Sequence, residues 1–90
     1  MKIAVVPNLT RERALEVTAA ACRELKALGA DVFFENELRQ SLSGLDGVGF
    51  SEPERLFESC DFIISVGGDG SVMRAAKIAA KYRKKILGIN

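Results

Sequence analysis

Ninety residues, 48% of them apolar and 28% charged, allow one compact domain and exclude a multi-domain machine, since domains commonly run to about 100–150 residues. Thirteen basic against twelve acidic residues leave a net charge of +1, which excludes a global field able to hold polyanionic nucleic acid or an anionic membrane. Histidine is absent, which removes the usual imidazole base and the commonest zinc ligand, and no apolar run approaches the ~20 residues of a membrane span.

Lys2 to Val6 is a run of Ile, Ala and Val stopped by Pro7-Asn8, and it reads as a strand buried on both faces, as in a parallel sheet. From Arg11 to Leu28 the pattern becomes helical, with Ala14, Val17, Thr18, Ala21, Leu25 and Leu28 on one stripe. Thr10 is placed to cap its start and Gly29 to close its end. Val32 to Phe34 supplies a second strand. Between Glu35 and Ser59 the periodicity fails, and Gly44, Gly47 and Gly49 predict a mobile loop with at most a short helix around Leu38 to Leu42. Ser51 and Glu54, with Pro53 in the first turn, resemble a capping box opening a short helix through Leu56 and Phe57. Asp61 to Val66 is the clearest strand, and it runs into Gly67-Gly68-Asp69-Gly70 before a helix from Ser71 to about Tyr82. Lys85 to Ile89 makes a fourth strand.

This order predicts an α/β fold, an open three-layer sandwich with a mainly parallel, roughly four-stranded sheet, over residues 1–90. The chain stops at Asn90, at the end of a strand, so an N-terminal nucleotide-binding domain lacking a second domain is expected. Cys22 and Cys60 stand far apart and no leader with an apolar core is evident, from which a cytoplasmic location and free, buried thiols are expected.

In open α/β sheets ligands bind at the carboxyl ends of the strands, where Gly67 to Gly70 falls. Three glycines in four residues admit positive φ and let a ligand approach main-chain N–H groups, and the following helix adds its own free N–H groups and dipole. Asp69 would repel phosphates unless it holds Mg²⁺ or faces a hydroxyl, and both exceptions point to phosphoryl transfer. The plainer alternative is a tight turn in which Asp69 caps a helix. A P-loop is excluded because no lysine follows Gly70 until Lys77, and a dinucleotide fingerprint begun at Gly68 meets Met73 where its third glycine belongs.

The run Ile63-Ile64-Ser65-Val66-Gly67-Gly68-Asp69-Gly70-Ser71, followed by Met73-Arg74-Ala75-Ala76, resembles the glycine-rich motif of the NAD kinase family. The opening Lys2 to Asn8 and the closing Ile86-Leu87-Gly88-Ile89-Asn90 are similar to that family's first strand and to the strand before its next loop. The resemblance covers the whole chain but only the N-terminal portion of the family's length. It implies phosphorylation of the adenosine ribose 2′-hydroxyl of NAD, giving NADP, with ATP or polyphosphate as donor and a divalent metal, Mg²⁺, as cofactor. It further implies Asp69 as proton acceptor, Gly70 in contact with NAD, Gly67 and Gly68 beside the donor phosphates, and Arg74 at a basic NAD-contacting position. Ser71 stands where threonine is commoner. Small nucleotides are the partners implied, with neither nucleic acid nor membrane, and the full-length parent is expected to be a homo-oligomer. Phosphofructokinases and diacylglycerol-type lipid kinases share the loop, and a non-catalytic α/β nucleotide-binding module would keep it as a turn.

Arg74, Lys77 and Lys81 share a helix face, which for Lys77 and Lys81 reads as solvated surface. Arg74 in an early turn opposes the helix dipole and gains from a nearby phosphate or carboxylate. Met73 either lines a nucleotide pocket or fills the core beside an apolar stripe of Val72, Ala75, Ala76 and Ala79. Lys81 to Lys85 holds four cations in five residues, read as a solvated helix end rather than a nucleic-acid patch. Glu35, Glu37 and Asp46 make no spaced metal set.

Overall fold

The protein is described from a computed structural model covering residues 1–89; Asn90, the last residue of the closing strand motif, lies outside the described residues. Five strands, β1 (Lys2–Pro7), β2 (Asp31–Glu35), β3 (Gly49–Ser51), β4 (Phe62–Val66) and β5 (Lys85–Ile89), form one sheet in the order β3-β2-β1-β4-β5. Every pairing is parallel. The three helices are α1 (Ala14–Ala27), α2 (Pro53–Ser59) and α3 (Asp69–Tyr82).

The strands are apolar on both sides because both sides are covered. Ile3, Val5, Val32, Phe34, Ile64 and Val66 pack toward Cys22 of α1, while Ala4, Val6 and Ile63 pack toward Leu56 and Phe57 of α2 and Ala75 and Ala79 of α3. This is the expected three-layer sandwich. Phe34, Leu56 and Ile63 are fully enclosed, each contributing about 1.5–3 kcal/mol by leaving water. Cys22 and Cys60 are free, buried and on opposite faces of the sheet.

The sheet has one strand more than expected. The added strand, β3, lies inside the stretch expected to be a mobile loop, and its glycine reflects packing: a methyl group on Gly49 would run into the ring of Phe33 on β2. The remainder of that stretch is anchored. A short 3₁₀ turn at Asn36–Leu38 leads to Leu42, which is fully buried, and Lys26 donates to the carbonyl of Asp46 at 2.8 Å.

Helix boundaries also differ. Thr10 does not cap α1: its hydroxyl donates to Asn8 Oδ1 at 2.6 Å in a turn, and the helix starts at Ala14 after Arg13 in a left-handed conformation. Glu52, not Ser51, precedes α2, with no side-chain cap, because Ser51 is held in β3. Gly29 does close α1. It takes φ +86°, its N–H bonds to Lys26 and that of Ala30 to Leu25, the pair of bonds that closes a Schellman ending. The buried rows are Ala14, Thr18 and Cys22 on α1 and Ser71, Ala75 and Ala79 on α3, an i, i+4, i+8 spacing that leaves Val17, Leu28 and Val72 exposed. The α3 helix begins at Asp69, two residues before the sequence suggests, because the carbonyl of Gly68 accepts from Ser71 and Val72.

Candidate functional site

Strand order reverses between β1 and β4: the chain leaves β1 toward β2 through α1 on one face, and leaves β4 toward β5 through α3 on the other. The loops after β1 and β4 therefore part at the carboxyl edge and leave a crevice, the position where open α/β sheets bind ligands. The Asn8 N–H donates to the Val66 carbonyl at 2.8 Å and the Gly67 N–H to the Ile89 carbonyl at 2.8 Å, fixing the floor of that crevice.

Each residue of the glycine loop has a distinct role there. Gly67 takes φ +133°, and a methyl group on it would stand 2.8 Å from Asn8 Cβ, so this glycine is required by the fold. At Gly68 the Arg11 guanidinium occupies the space a side chain would take, and that arginine would have to swing aside to admit one. Gly70 is different, since its φ is not positive and nothing lies within 4 Å of where a methyl group would stand. Among the described residues, the N–H groups of Gly68, Asp69 and Gly70 donate to no carbonyl or side chain. Three consecutive free amides at the start of a fourteen-residue helix form a cradle for an anion.

Asp69 occupies the first helical position, exposed, and its carboxylate has no hydrogen-bond partner among the described residues. It lines a cavity of about 420 Å³ together with Gly67, Gly68 and Arg11. A second cavity of about 210 Å³ opens on the same loop and is lined by Asn8, Gly70, Ser71 and Arg74. Ser71 is buried, its hydroxyl shared between the carbonyls of Val6 at 3.1 Å and Val66 at 3.3 Å, so it ties α3 to the ends of β1 and β4. Met73 is 64% exposed and therefore is not core filling.

Arg74 has a protein partner that the sequence did not reveal. Its Nη2 donates to both carboxylate oxygens of Glu35 at 2.9 Å, and Glu35, at the end of β2, is only 3% exposed. The pair spans β1 and braces α3 against β2. Sequence separation hid it, because the two stand 39 positions apart. Arg11, which the sequence pattern places only at the start of the first helical run, also reaches this site; the signal for it is a cation on the loop that leaves β1 at the crevice. Lys84, from the basic run, donates to the carbonyls of Glu58 and Cys60 at 2.8 Å and closes α2. Burial pushes the thiols of Cys22 and Cys60 up, with Lys26 and Lys84 respectively drawing them partly back. Among the described residues no group of three His, Cys, Asp or Glu side chains is gathered to hold a metal, and no helix is long and apolar enough to cross a membrane.

The chain is 30% identical to an NAD kinase of Thermoanaerobacter sp. (strain X514) over 89 residues, which cover 99% of this chain and 31% of the relative. It is 34% identical to an NAD kinase of Ectopseudomonas mendocina (strain ymp) over 88 residues, covering 98% of this chain and 30% of the relative. It thus spans about a third of the length of the curated relatives it matches. The family model for the ATP-NAD kinase N-terminal domain matches residues 3–90, and the chain belongs to that family.

Proposed function

We propose that this chain is the nucleotide-binding part of an NAD kinase, which transfers a phosphoryl group from ATP or polyphosphate to the adenosine ribose 2′-hydroxyl of NAD, giving NADP. The observation that carries this reading is the juxtaposition at one loop of three unpaired amides and one exposed, unpaired carboxylate. Amides suit phosphate, and the carboxylate suits a hydroxyl that must lose a proton.

In this reading Asp69 accepts the 2′-hydroxyl proton as the oxygen attacks phosphorus. The amides of Gly68, Asp69 and Gly70 bear the charge of the transferred group, supported by the α3 dipole. Donor phosphates lie in the larger cavity beside Gly67 and Gly68. Part of NAD lies in the smaller one, beside Gly70 and Arg74, with Asp69 between them. Ser71 holds the loop in place from beneath, and exposed Met73 is free to meet the nucleotide. The residues fit a divalent metal that arrives with the donor, since Mg²⁺ is commonly held by one or two carboxylates plus substrate phosphates and Asp69 supplies one carboxylate. Bound there, Mg²⁺ would neutralise charge on the transferred phosphoryl group. Two-thirds of the relatives' length lies outside this chain, so the isolated piece lacks groups needed to enclose NAD and is inactive alone; cytoplasmic location and homo-oligomeric assembly belong to the same reading.

Replacing Asp69 with asparagine in the complete kinase tests it. Turnover should fall about 10²- to 10⁴-fold with the melting temperature unchanged, because Asp69 is exposed and unbonded. Near-normal turnover would remove Asp69 from the role of base.

A further inference from the structure

We propose that Arg11, on the loop between β1 and α1, is the side chain that clamps the polyphosphate of the donor onto the glycine loop. The inference rests on the kinase reading above and adds to it a residue outside the glycine motif.

The first observation is steric. The Arg11 guanidinium lies directly against Gly68, in the space where a side chain at that position would begin. It shares the wall of the 420 Å³ cavity with Gly68 and Asp69, whose amides are free.

The second observation is electrostatic. The charged residues lining that cavity are Arg11, Glu12 and Asp69, for a formal charge of −1 from one cation and two anions. Without Arg11 that wall would present a formal charge of −2 to a polyphosphate, and Arg11 is the only cation on it among the described residues. Three other basic side chains are already engaged elsewhere: Arg74 holds Glu35, Arg13 holds Glu16, and Lys84 closes α2. The Arg11 side chain makes no hydrogen bond or ion pair with another described residue, although Glu12 is its neighbour. Its planar fork matches two phosphate oxygens at once, which a lysine does not. The ligand class is a chain of phosphates, whether carried by a nucleotide or inorganic.

Calorimetric titration of the complete kinase with sodium tripolyphosphate, ATP and NAD, for the wild type, Arg11→Gln and Arg11→Lys, tests the assignment. Arg11→Gln takes the cavity to a formal charge of −2. It should weaken tripolyphosphate and ATP alike by tenfold or more, leave NAD within twofold, and melt at the wild-type temperature. Arg11→Lys should recover part of the loss. Equal affinity for tripolyphosphate in wild type and Arg11→Gln overturns the proposal. So does a loss confined to ATP, which would put Arg11 at the nucleoside, and so does an equal loss for NAD. A wild-type kinase that binds no tripolyphosphate overturns it as well. Failure of the Asp69 role appears separately, as unchanged turnover in Asp69→Asn, a variant that should bind tripolyphosphate at least as tightly as wild type because one carboxylate charge is removed.

Discussion

Replacing Gly70 with alanine should stabilise the protein and impair its binding function at once. Gly70 sits at the second position of α3 with a φ that is not positive, and nothing lies within 4 Å of the added methyl group. Glycine within a helix is about 0.5–1 kcal/mol worse than alanine. At a helix end the gain falls near the lower value, about 0.5 kcal/mol. A domain of this size shifts by about 4–8 °C per kcal/mol, so the melting temperature should rise about 2–4 °C in a far-ultraviolet circular dichroism scan. The methyl group would be added to a residue on the wall of the smaller cavity, and NAD affinity of the complete kinase measured calorimetrically should fall at least tenfold. Gly67→Ala is the contrasting control: at φ +133° and 2.8 Å from Asn8 Cβ, it should lower stability by about 1–3 kcal/mol. A melting temperature that drops in Gly70→Ala would refute the open-space argument, and undiminished NAD affinity would refute the placement of ligand against Gly70.

Arg74→Ala leaves the carboxylate of Glu35 buried without its partner, and because Arg74 itself is half exposed the loss should sit at or below the lower end for buried pairs, about 2–3 kcal/mol in urea unfolding. The double variant Glu35→Ala, Arg74→Ala should recover part of that, and a double variant no more stable than the single would show that the pair is not what holds α3 to β2. The raised thiols of Cys22 and Cys60 make stability fall as pH climbs past their ordinary value of 9.0, since the unfolded chain then gives up protons that the folded chain retains. The slope should reach up to about 1.4 kcal/mol per pH unit for each thiol, and a Cys22→Ala, Cys60→Ala variant with the same slope would assign the effect elsewhere.

The sequence disclosed those parts of the fold whose cause is local. β1 and β4 are unbroken apolar runs because both faces are covered, and the Gly67–Gly70 segment announced itself because a helix must begin where its amides remain free. Beyond the glycine loop, the segment after the first strand set the NAD kinase reading apart from other kinases that share it, because Pro7-Asn8-Leu9-Thr10 supplies no glycine-rich phosphate loop and Thr10-Arg11-Glu12-Arg13 follows the Pro-Asn order. What stayed hidden depends on partners distant in the chain. Gly49 looked like loop flexibility and is instead room for Phe33; Thr10 looked like a helix cap and instead serves Asn8. Glu35 looked idle until Arg74, 39 residues later, was placed against it. Helix starts shifted for the same reason, since a capping residue has alternatives that only the neighbouring loop decides.

The central place of β1 has a kinetic consequence. Its pairing with β2 joins Ile3 to Val32, whereas its pairing with β4 joins Ile3 to Phe62, about twice the separation. Each doubling of a closed loop adds about 0.6 kcal/mol of entropic cost, so the β1–β4 union is the costlier closure. The crevice exists only after that union, since Asn8 reaches Val66 and Ser71 reaches Val6 across it. Ligand-binding competence is therefore acquired with the longest-range contacts and not with the first βαβ unit. The amide of Asn8, bonded to Val66, reports on this directly: its hydrogen exchange should require opening of the central pair, at close to the free energy of global unfolding.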